Sequence, residues 1–62
     1  MTQLQIERTA KQLANARRAA ARNFTDGVVA RLDKLNQKIE LLPLGQNLAV
    51  LTITERLLEE RA

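Results

Sequence analysis

The sequence predicts an all-α chain: a helical hairpin with one long N-terminal helix, a loop at about 43–47 and a shorter C-terminal helix. Three observations lead there. Turn formers are scarce, with two glycines and one proline in 62 residues. Strand formers are scarce as well, since Phe24 is the one aromatic side chain and strands favour aromatic and β-branched residues between frequent turns. Apolar residues also recur at steps of three and four from Phe24 to Leu42, the period of a helix face.

The first helix begins near residue 3. Thr2 followed by Gln5 has the spacing of a capping box, in which each side chain satisfies the other residue's backbone N–H. Asn23-Phe24-Thr25-Asp26-Gly27 is a candidate break, with Thr25 able to act as an N-cap and Asp26 suited to a first turn. Gly27 costs about 1 kcal/mol inside a helix, so the reading favours one continuous helix, kinked at most. Unbroken over about 40 residues it would be roughly 60 Å long. Pro43-Leu44-Gly45-Gln46 is the strongest stop, because proline disfavours helix at Leu42 and glycine accepts turn geometry.

Beyond that loop, Val50, Leu51, Ile53, Leu57 and Leu58 share one side of a helical projection. Thr52, Glu55, Arg56, Glu59 and Glu60 share the other. A second capping box, Thr52 with Glu55, would allow this helix to begin only at residue 53. Leu48 to Ile53 is a short apolar run in which a strand competes with a helix.

Such a chain is small for independent stability. Of its 28 apolar residues nine are alanine, leaving 19 large apolar side chains. Small domains usually add disulfides, a metal or a partner. Cysteine and histidine are both absent, which removes disulfides, thiolate sites, the commonest metal ligand and the usual catalytic base. Association is the device that remains. Phe24, Val28, Leu32, Leu35, Ile39 and Leu42 form a narrow stripe with Arg31, Asp33, Lys34, Gln37 and Lys38 facing away, as in a coiled-coil or bundle seam. With Val50, Ile53 and Leu57 it makes the expected dimer interface, because no other segment looks long enough to cover it. The expected assembly is therefore a homodimer or higher oligomer, a four-helix bundle or coiled-coil-like pair within one domain. Residues 24–62 would dimerise, and the basic helix 1–23 would project or pack loosely.

Charge concentrates at one end. Residues 1–25 carry five cations against Glu7, and residues 26–62 carry five cations against six acids. On the first helix Ile6, Thr9, Leu13, Ala16 and Ala20 form a thin apolar stripe, and Arg17 at its edge points to a helix left open to solvent on that side. Opposite them Arg8, Lys11, Asn15, Arg18 and Arg22 form a row spanning about 20 Å. Such a row can follow phosphates, while Asn15 and Arg18 could reach base edges in a major groove. DNA or RNA is therefore the first expected partner. The alternative is an acidic or apolar surface of another protein, met through Ile6, Leu13 and the alanines or through Leu41, Leu44 and Leu48. A membrane surface is disfavoured, because the apolar face is mostly alanine and inserts little.

Catalysis has no evident residues. The chain lacks a Gly-rich phosphate loop, and adjacent Glu59 and Glu60 diverge on a helix. No catalytic residue, cofactor or metal is expected, and the protein is read as non-enzymatic. The longest run without any polar or charged residue is Leu41 to Gly45, far short of the roughly 20 apolar residues of a membrane span. Gln3, Gln5, Glu7 and Arg8 interrupt any signal-like apolar core, so a cytoplasmic location is expected.

In length and order, Arg22-Asn23-Phe24 running into Leu32, Leu35, Ile39 and Leu42-Pro43 resembles the basic helix-loop-helix family. The glutamate of that family's basic region has no counterpart between Ala14 and Arg22. Asn15-Ala16-Arg17-Arg18-Ala19 resembles a leucine-zipper basic region, with its alanines out of step. The overall size is similar to small plasmid-encoded hairpin dimers that bind paired RNA loops. All three resemblances imply a dimer that grips nucleic acid with basic helices.

Overall fold

In the computed structural model, which describes residues 2–60, the chain forms α1 (Gln3–Arg22), α2 (Asp26–Glu40) and α3 (Leu44–Glu59). The start of α1 is fixed as its sequence predicts. Gln5 N–H donates to Thr2 Oγ1 at 3.2 Å, and Thr2 N–H donates to Gln5 Oε1 at 2.9 Å. At the other end Asn23 N–H closes the last turn on Ala19 O, and the backbone becomes extended.

The long continuous helix does not form. Thr25 caps α2 by accepting from Val28 N–H, with Asp26 in the first turn. Asn and Thr side chains compete for backbone partners and so favour caps over helix interiors. The break also folds α2 back onto α1. A straight 40-residue helix would have left both apolar faces in water.

The second connection is shorter than the expected loop at 43–47. Leu41 N–H reaches Gln37 O and Leu42 N–H reaches Ile39 O, and Pro43 already occupies the N-cap position of α3. Proline's fixed φ suits a helix start, and Gly45 takes an ordinary helical conformation rather than a turn. Asn47 Nδ2 donates to Ile39 O at 3.1 Å, so a side chain of α3 satisfies one of the last carbonyls of α2. Leu48–Ile53 is helical, and Thr52 lies inside α3 rather than at its cap.

α1 packs on both others, while α2 and α3 touch each other little. The molecule measures 31 × 25 × 15 Å. Its core is Ile6, Ala10 and Leu13 of α1 with Ile39 of α2 and Val50 of α3, flanked by Leu32, Leu35, Leu42, Ala49, Leu51 and Ile53.

The N-terminal helix is thus the centre of the fold and not a projecting arm. Ala10, Leu13, Ala14 and Ala16 are buried, on the side where Arg17 had suggested open solvent. Alanine contributes little area itself, but its small size lets helix axes approach. Thr54, fully buried, shows how close they come. Its hydroxyl donates to Val50 O at 2.7 Å and lies 3.3 Å from Ala10 O on the neighbouring helix.

The expected interhelical seam is largely consumed inside one chain. Ile39 and Val50 are buried, and Leu32, Leu35, Leu42 and Ile53 pack on the core. The segment thought too short to cover them is α1 itself. Phe24 stands out in solvent at 80 % exposure. Val28 and Leu57 are half-buried.

Candidate nucleic-acid interface

The buried face of α1 sets the helix's rotation. Ile6, Thr9, Ala10, Leu13, Ala14 and Ala16 all turn inward, so the residues about half a turn away must face out. Arg8, Lys11, Asn15 and Arg22 are exposed accordingly. From Arg8 to Arg22 the row spans about 21 Å along the axis. Its guanidinium and ammonium groups can approach a line of phosphates from one direction.

Arg18 departs from the row. Its guanidinium turns toward α3, where Nη2 donates to Leu57 O at 2.7 Å. A cation at a helix C-terminus satisfies an orphan carbonyl and opposes the negative end of the macrodipole. The side chain is half-buried there and acts first as a link between α1 and α3. It also borders a hollow formed with Ala21, Arg22 and Leu58.

Folding adds basic residues that the row on α1 does not include. An open cleft of about 350 Å³ lies between α1 and α2, lined by Gln12, Asn15, Ala16, Ala19, Arg31 and Leu35. Arg31 also lines a second hollow on α2, with Lys34 and Gly27. The basic surface therefore continues from Asn15 across the cleft to Arg31 and Lys34. In the sequence these two look like the solvated back of a seam. The available signal was that Arg31, Lys34 and Lys38 recur at steps of three and four, as the α1 row does.

No family model, curated protein or solved structure matches this chain. Its chemistry is therefore read from its own residues. Among the described residues, no group of three or more His, Cys, Asp or Glu side chains could hold a metal ion, and no helix is long and apolar enough to cross a membrane. Of the surfaces a partner protein could meet, Ile6, Leu13 and the inward alanines are closed by α2 and α3. Leu41, Leu44 and Leu48 remain exposed, at 86 %, 75 % and 53 %.

Proposed function

We propose that this protein is a small helical regulator that binds DNA or RNA through the outer face of α1, works as a pair of copies, and acts by binding rather than by catalysis. One observation carries the reading: the buried face of α1 holds Arg8, Lys11, Asn15 and Arg22 in one outward row. Arg31 and Lys34, beside the cleft, extend that row onto a second helix.

A major groove about 12 Å wide accepts one α-helix. With α1 in the groove, Arg8, Lys11 and Arg22 meet phosphates, and Arg31 and Lys34 meet the backbone at the groove's edge. Asn15, placed between the cations, offers the amide geometry that pairs with the N6 and N7 of adenine. Two copies would set two such rows at a fixed spacing and so fix the separation of two half-sites.

Fluorescence anisotropy with mixed duplex DNA and RNA, titrated over NaCl, tests the reading. Five phosphate contacts per bound copy give a log–log slope of about −4.5, or roughly a five-hundredfold loss of affinity between 50 and 200 mM salt. Lys11→Ala with Arg22→Ala should make the slope shallower by nearly two units. A salt-independent curve, or no binding at 50 mM salt, overturns the proposal.

A further inference from the structure

α3 is apolar on two sides. Val50 and Thr54 face α1 and are buried. A second stripe, Leu44, Leu48, Leu51 and Leu58, runs along another side, with Glu55 at the one remaining position. The steps are four, three, four and three, the spacing of a coiled-coil seam. Leu44 and Leu48 are mostly exposed, and Leu51 and Leu58 are half-buried at the stripe's inner edge, Leu51 against the core and Leu58 beside Arg18. A helix apolar on both sides normally lies inside a larger structure than three helices can build.

We propose that a second copy of this chain covers this stripe, with α3 packed antiparallel against α3 of the partner subunit. The proposal rests on the pairing read above and is independent of the nucleic-acid ligand. Area supports it first. Folded monomers of 7.0 kDa expose about 4,000 Å², whereas this chain exposes 4658 Å². The excess of roughly 650 Å² is a property of the whole chain, and Leu44 and Leu48 are among its exposed large apolar side chains.

Self-complementarity supports it second. About a two-fold axis at Leu51, an antiparallel pairing brings Leu44 opposite Leu58 of the partner subunit and Leu51 opposite Leu51 of the partner subunit. Glu55 then lies beside Leu48 of the partner subunit. Positions 44, 51 and 58, all leucine, map onto themselves in this pairing, as an isologous two-fold interface requires. A parallel pairing would instead set Glu55 against Glu55 of the partner subunit, two like charges in one seam.

Light scattering on the full chain, from about 1 to 100 μM, tests the proposal. The mass should approach twice 7.0 kDa at the upper end. Leu44→Glu with Leu48→Glu should return it to one copy with helicity retained, raising the dissociation constant at least a hundredfold. Glu55→Leu, which cannot fail by losing core contacts, should tighten pairing at least tenfold. A wild type of single mass throughout overturns both the pairing and this surface. A paired wild type whose Leu44→Glu, Leu48→Glu variant also pairs, or whose Glu55→Leu variant associates no more tightly, overturns this surface alone. Under oxidation, Leu44→Cys with Leu58→Cys should give a covalent dimer where Leu44→Cys alone does not. Cross-linking of Leu44→Cys alone overturns the antiparallel orientation.

Discussion

Leu13 separates a chain whose first helix is its core from one whose first helix is an arm. Its side chain is fully buried among α1, α2 and α3. Truncating such a leucine to alanine costs about 2–5 kcal/mol, from lost transfer energy and the cavity left behind. A 62-residue domain holds about 3–9 kcal/mol of stability in all. Leu13→Ala should therefore remove about a fifth of it or more. With a urea slope near 1 kcal/mol per molar for a protein this small, the midpoint should fall by about 2 M or more. The measurement is helical circular dichroism against urea at fixed protein concentration, because any pairing makes stability concentration-dependent. Leu4→Ala, at a mostly exposed site on the same helix and outside the proposed seam, is the control. If Leu13→Ala moves the midpoint by less than about 0.5 M, α1 is not the central helix and the rotation argued for its basic row fails with it.

Two further substitutions test local features. A Cβ built on Gly27 meets nothing within 4 Å, and its φ is not positive. Gly27→Ala should stabilise by about 0.5–1 kcal/mol, through lower unfolded-state entropy and better helix propensity, and raise Tm by a few degrees. A fall in Tm would show that the bare backbone there is required. Arg18→Ala removes the bond to Leu57 O and should cost about 1 kcal/mol, lowering Tm by about 4–8 °C. An unchanged Tm combined with a shallower salt slope would return Arg18 to the phosphate-facing row.

Local signals marked the start of α1 and offered one for α2, although the expectation there was a helix continuing through Gly27. Thr2 with Gln5 and Thr25 with Asp26 each act within four residues of themselves, so a single sequence displays them in full. The value of alanine was not displayed. Ala10, Ala14 and Ala16 bury little area each, and by that measure α1 looked peripheral. Their contribution is the close approach they allow, which depends on a partner helix that sequence does not show. Placing Leu44 in the loop also removed the first member of the outer stripe on α3, so its regular spacing went unnoticed. Arg31 and Lys34 joined the basic surface only because α2 folds back beside Asn15.

By itself, the order of residues decided that this chain is helical, where its first helix begins and which end carries the cations. Those properties depend on backbone geometry and on neighbours within about one turn. Tertiary structure decided which helix lies in the middle, which apolar stripe stays in water and which arginine leaves its row to hold another helix. Those outcomes depend on contacts such as Ala10 with Thr54 and Arg18 with Leu57, pairs separated by 44 and 39 residues. No local pattern encodes such pairs, because their energy exists only once the helices have met.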